Sequence, residues 1–130
     1  MSVILLPLLL LKIPTGFAVC YNKFHDIEPI TSKDSDETLE NWGYFTEDIL
    51  QIVKMELRDG NWFVPNIRNI VIDLGWYPDG NANGQYRLVV AKVQEDYSWD
   101  ILKEKVSRNR FEIRDTLEDW MQSILNNALK

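Results

Sequence analysis

Residues 67–93 read IRNIVIDLGWYPDGNANGQYRLVVAKV, two β-branched, apolar runs separated by a cluster of turn formers. Ile67 to Tyr77 is apolar around Asn69 and Asp73, and Tyr86 to Val93 is similar. Branched and aromatic side chains suit a pleated, half-buried surface. Between the runs, Pro78, Asp79, Gly80, Asn81, Asn83 and Gly84 supply a fixed φ, local side-chain hydrogen bonds and tolerance of positive φ. The pattern predicts a β-hairpin with a long loop, and so a domain built on antiparallel pairing.

Working outward from that hairpin, Trp99 to Val106 reads as a further strand. Asn109 and Glu112 then have capping-box spacing for a terminal helix. Phe111 lies near its start, and Ile113, Leu117, Trp120, Met121, Ile124 and Ala128 form its apolar stripe. Glu112, Asp115 and Asp119 fall on another face and meet water. In the other direction, Thr46 to Gly60 carries helix signals: Thr46 as amino cap, Glu47 and Asp48 at the positive end of the dipole, and Gly60 at the close. Ile49, Leu50, Val53 and Leu57 repeat at helical spacing, so a helix is expected there. A strand is the rival reading, because Val53, Met55 and Leu57 alternate with Lys54, Glu56 and Arg58.

Val3 to Leu11 is apolar throughout and is expected as a buried strand, with Pro7 requiring an edge position or a bulge. Pro14-Thr15-Gly16 forms a turn, and Phe17 to Tyr21 a second short strand able to pair with the first. The run lacks a preceding Lys or Arg and an A-x-A site, so it does not match a secretory signal. Nine residues also fall short of the roughly 20 that a membrane-spanning helix needs. The expected fold is one α+β domain over residues 1–130, an antiparallel sheet of four to five strands packed by two helices. It is expected in the cytoplasm, where the lone Cys20 needs no partner.

Motifs for chemistry are weak. Asp79 to Gly84 matches the first half of a calcium-binding EF-hand loop, but position twelve is Val90 where a bidentate Glu belongs. A hairpin turn accounts for the same residues. Cys20 and His25 with Asp26 would sit on opposite faces of a continuous strand, and no third group completes a nucleophile. With one His and one Cys, no metal site of the usual type can be assembled, and the reading calls for no cofactor. There is no phosphate-cradling glycine loop with a Lys. The 20 acidic residues offer close carboxylate pairs, but no spacing singles one out.

Charge is the more informative signal. The chain has a net charge of −6 and a pI near 4.7, which argues against nucleic acid or an anionic membrane as partner. Residues 33–48 hold Asp34, Asp36, Glu37, Glu40, Glu47 and Asp48 against Lys33 alone, so five of the six net negative charges lie in one window. Trp42, Tyr44 and Phe45 are interleaved with them. Charges that steer encounter, beside rings that fill pockets, make a protein-binding surface. The plainer alternative is a solvated loop whose aromatics turn into the core.

Gly75-Trp76-Tyr77-Pro78-Asp79-Gly80, continuing to Gly84-Gln85-Tyr86-Arg87-Leu88, combines with an ending of Ser107-Arg108-Asn109-Arg110, Ile113 and Leu117-Glu118-Asp119-Trp120-Met121. Together, over roughly residues 65–125, these resemble small bacterial immunity proteins encoded beside polymorphic or contact-dependent toxins. The resemblance implies a non-catalytic cytoplasmic protein that binds and neutralises a cognate toxin domain, often a basic nuclease. The contacts expected from the charge pattern are Asp34, Asp36, Glu37, Glu40, Glu47 and Asp48, with Trp42 and Tyr44 as anchors. Two other readings stay open: a small enzyme or ligand-binding domain using a sheet–helix cleft, and a homo-oligomer associating through the apolar N-terminal strand.

Overall fold

The computed structural model describes residues 6–127, which form an α+β fold. Strands β1 (Phe17–Asn22), β2 (Leu50–Lys54), β5 (Ile70–Tyr77), β6 (Gln85–Val93) and β7 (Trp99–Ser107) make one antiparallel sheet in the order β1-β2-β5-β6-β7. Two short strands, β3 (Glu56–Arg58) and β4 (Asn61–Phe63), form a separate ribbon, and one helix, α1 (Arg110–Leu125), closes the fold. The hairpin expected at 67–93 is β5–β6, paired from Ile70↔Lys92 to Tyr77↔Gln85. The strand expected at Trp99 to Val106 is β7.

The helix expected over Thr46 to Gly60 is absent; the segment is β2, β3 and the turn into β4. Thr46 does engage the amide two residues on, as an N-cap would: its hydroxyl accepts from Asp48 N at 3.3 Å. The chain then runs on extended, because it has a sheet edge to join. Trp76 N donates to Thr46 O and Ile49 N to Leu74 O, and β2 pairs with β1 on one side and β5 on the other. A strand bonded on both sides satisfies every backbone group that a helix would have satisfied internally. Gly60 is not a helix terminator. Asp59 and Gly60 have φ of 52° and 80°, the mirror-image turn of a tight hairpin, and join β3 to β4.

The N-terminal run also departs from expectation. Val3 to Leu5 lies outside the described residues. Leu8 makes only an isolated antiparallel bridge to His25, with Leu9 N donating to Phe24 O, so the run lies beside residues 24–26. It is not a hairpin partner of β1, whose neighbour is β2. Leu9 is buried while Leu8 and Leu10 are exposed.

Helix α1 begins where expected. Asn109 Oδ1 accepts from the amides of Phe111 (2.9 Å) and Glu112 (3.2 Å), a cap worth about 1 kcal/mol. Glu112 does not return the bond to Asn109. It reaches Lys105 and Ser107 on β7, and Asn109 N donates to Ser107 Oγ, so the helix start is tied to the strand before it. Ile113, Leu117, Trp120 and Met121 are buried against the sheet.

Strand register sorts the sheet into two faces. On the inner face, Leu50, Leu74 and Leu88 lie in one cross-strand row and Ile52, Ile72 and Val90 in the next. Trp76 and Tyr86 pair beyond them, and Phe24 and Phe45 pack on these rings at centroid distances of 4.8–6.0 Å. Helix α1 and the long β1–β2 connection cover this face and share its core. The outer face belongs to a different and much smaller cluster, Val53, Val71 and Val93 with Ala18.

Candidate partner-binding site

Residues 33–48 lie in the long β1–β2 connection, and two apolar residues fasten them. Leu39 and Phe45 are almost wholly buried, which turns the polar residues between them outward. Backbone bonds fix the path. Leu39 N donates to Gly80 O (2.9 Å), Ala82 N to Glu37 O (2.8 Å) and Gly80 N to Phe45 O (2.7 Å). The acidic segment is thus stitched to the β5–β6 loop, with Thr38 bridging Asn81. On its other side Glu40 N donates to Ile30 O, and the Asn41 side chain binds both Glu28 O and Ile30 N.

The β5–β6 loop is itself well braced. Asn81 Oδ1 accepts from Asn83 N at 2.7 Å, and Trp76 Nε1 donates to Asn81 O at 2.9 Å. Arg108 lies over the Trp76 ring at 5.2 Å and donates to the carbonyls of Ala82 and Gly84. A Cβ on Gly84 would run into Trp76 Nε1, so the residue must be glycine. The polar side chains that resembled half an EF-hand are engaged in shaping the turn: Asn81 as above, and Asp79 as acceptor for Glu47 N at 3.4 Å. Among the described residues no group of three His, Cys, Asp or Glu side chains is placed to hold a metal ion.

Where acidic segment and loop meet, Glu37, Thr38, Trp42, Asp79, Gly80 and Asn81 line a cleft of about 280 Å³. Trp42 opens the short 3₁₀ turn Trp42–Tyr44 and is 57% exposed, with its Cβ seated above Gly80. Glu37 and Asp79 give the cleft two carboxylates. Asp34, Asp36 and Glu40 are exposed on the same connection but do not line it. Tyr44 is only half-exposed, its ring edge-on to His25 at 5.0 Å, so it braces the loop and is less available as an anchor than Trp42. None of the six acids of the window forms an ion pair among the described residues. By contrast, Asp26, Glu28, Glu95, Glu104, Glu112 and Asp115 are all paired.

Glu47 and Asp48 are exposed too, but they belong with a second group that the sequence did not single out. This group lies on the outer face of the sheet, where the register places Tyr21, Gln51, Asp73, Val89 and Glu104 in one row across all five strands. Gln51 Nε2 donates to Asp73 Oδ2 at 3.2 Å, and Arg87 is held by Glu104 at 2.6 Å. Burial pushes the Asp73 carboxyl up; the Gln51 bond opposes this, Asp48 adds to it and Arg87 opposes it. Tyr21 is pushed up to about 12, first by burial and then by Asp73 and Asp48, and Tyr77 rises by burial, Asp73 and Glu47, with Arg87 opposing. The available signal was Asp73 itself, a lone carboxylate inside a β-branched run. Its neighbours follow only from strand order.

Cys20 is exposed at the irregularity in β1, and His25 faces Tyr44 and Lys23 O, so the two do not form a reactive pair. Among the described residues no helix is long and apolar enough to cross a membrane. No protein-family model, curated protein or solved structure matches the chain.

Proposed function

We propose that this chain is an immunity protein, which binds a cognate bacterial toxin domain and blocks it by occupying a basic surface. The observation that carries the reading is the window of six exposed carboxylates, without ion-pair partners among the described residues, around the exposed ring of Trp42. Unpaired surface charge contributes little to folding, and one sign concentrated on a single connection repels itself. Its physical use is to raise the encounter rate with a basic partner, while a large exposed ring beside a cleft supplies a contact that excludes water. A nuclease fits as the toxin class, because a surface that receives phosphates also receives carboxylates. The braced loop under the window favours binding further, since a preordered surface loses little entropy on association. Such an inhibitor would act in the cytoplasm, needs no cofactor and performs no catalysis.

The test is a tagged pull-down from the source cell, followed by co-expression of whatever is recovered. Recovery of one basic protein whose toxicity the chain suppresses supports the proposal. Recovery of a small-molecule ligand instead, or suppression that survives reversal of Asp34, Asp36 and Glu37 to Lys, would count against it.

A further inference from the structure

The cleft beside Trp42 has walls of different kinds, and together they restrict what can fill it. Trp42 brings a large aromatic surface that is 57% exposed. Glu37 comes from the β1–β2 connection and Asp79 from the β5–β6 loop, so two carboxylates reach one cleft from separate segments. Thr38, Gly80 and Asn81 complete the lining. Backbone bonds fix these walls: Leu39 N donates to Gly80 O, Ala82 N to Glu37 O and Gly80 N to Phe45 O, and Thr38 bridges Asn81. Gly80, at a φ of 63°, leaves room for Trp42, since a Cβ there would stand 3.2 Å from Trp42 Cβ.

Volume sets the first limit on the occupant. At about 280 Å³ the cleft falls below the roughly 300–1,000 Å³ of pockets that enclose a drug-sized ligand, and it suits a single side chain. Charge sets the second. Among the described residues neither carboxylate has an ion-pair partner, and no Lys or Arg lies over the Trp42 ring. Glu37 and Asp79 repel an anion, and a neutral group would cover them without compensating either charge. A cation between them gains from both. The indole sets the third limit, because it accepts the flat, weakly hydrated guanidinium of arginine better than the compact ammonium of lysine. A guanidinium stacked on the ring also keeps its edge N–H groups free to donate to carboxylates on either side.

We propose that the Trp42 cleft is an arginine-binding site, which takes one arginine side chain of the partner, stacked on the indole and donating to Glu37 and Asp79. The inference rests on the proposed reading of a basic protein partner and names the side chain by which that partner is held. It also divides the acidic residues by task. Asp34, Asp36 and Glu40 are exposed but lie outside the cleft, where they act at longer range on the rate of encounter. Glu37, Trp42 and Asp79 make the contact that sets how long the complex lasts.

The experiment is amide and indole chemical-shift mapping on the full chain, with the Nα-acetylated amides of arginine, lysine and citrulline titrated through the millimolar range. Citrulline keeps the planar shape of arginine without its charge. The arginine probe should give saturable shifts at residues 37–42 and 79–82 and at the Trp42 indole N–H. It should bind about threefold or more tighter than the lysine probe, and the citrulline probe should give no shift. Trp42→Ala should weaken the arginine probe about three- to tenfold, and Glu37→Gln about two- to fivefold. Both residues are exposed, so the rest of the amide spectrum should not move. Equal shifts with arginine and lysine, unchanged by Trp42→Ala, would overturn the inference and leave a diffuse attraction for basic proteins. Absence of shifts in the cleft would overturn it as well; recovery of a basic partner in the pull-down would then leave the broader reading standing, and its non-recovery would count against both.

Discussion

The two faces of this sheet are made by the same five strands and have opposite fates. Inward, Leu50, Leu74, Leu88, Ile52, Ile72 and Val90 share one core with the helix and the aromatic group of Phe24, Phe45, Trp76 and Tyr86. Outward, the small buried cluster of Val53, Val71 and Val93 lies beside a row that carries Gln51 and the carboxylate of Asp73. The contrast separates two tasks. The inner face holds the main core, and the proposed contact with another molecule falls to the exposed acidic connection.

If that separation is right, substitutions on the two faces should differ in kind. The largest effect belongs inside: Trp76→Ala removes the ring that Phe45, Tyr86 and Arg108 pack on and should cost about 3–5 kcal/mol in denaturant unfolding. Gly75→Ala comes next, on the outer side between Asp73 and Tyr77, because its Cβ would run into the Glu47 carbonyl and the Tyr77 ring; a loss of about 1–3 kcal/mol is expected from overpacking. A neutral result for Trp76→Ala would break the assignment of the core to the inner side.

Asp73→Asn gives a smaller and oppositely signed effect. The native carboxyl is raised above its ordinary value of 3.8, so the folded state holds its proton more tightly than the unfolded chain does. Stability contributed by that group is present at low pH and lost as pH rises through the raised value. The variant should therefore be at least as stable as the wild type at neutral pH, and its melting temperature should fall less between pH 4 and 7. A stability loss at neutral pH would show that the carboxylate supports the fold. The smallest effect is expected at the sheet's exposed edge, where Ile101→Lys should change stability by no more than about 0.5 kcal/mol.

How far the sequence could be read follows from how local each signal was. The β5–β6 hairpin and the Asn109 cap each complete their pattern within a few residues, and both were legible. Thr46 to Gly60 was not. Its Thr46 contact and Gly60 are real but serve a short turn and a hairpin, and the deciding partners lie 30 residues before and 20 after. Asp59-Gly60 flanked by Leu57 and Trp62 is a strong hairpin signal, overshadowed because the same glycine also suits a helix end. The acidic window was legible as charge, and Asp79 as a wall of its cleft was not, since the two segments meet through bonds between residues 37–47 and 79–82 that no sequence pattern marks. The outer face was hidden for the strongest reason. Its rows exist only once strand order and register are known, and a shift of one residue would send each of these side chains to the other side.

The most direct test of the central claim is the salt dependence of association between this chain and the toxin domain recovered with it. The wild type and the variant with Asp34, Asp36 and Glu37 all changed to Lys would be compared by stopped-flow. The account predicts an association rate for the wild type that falls steeply as salt rises, and a variant roughly tenfold or more slower at low salt with a flattened dependence. Equal rates and equal salt dependence for the two proteins would contradict it.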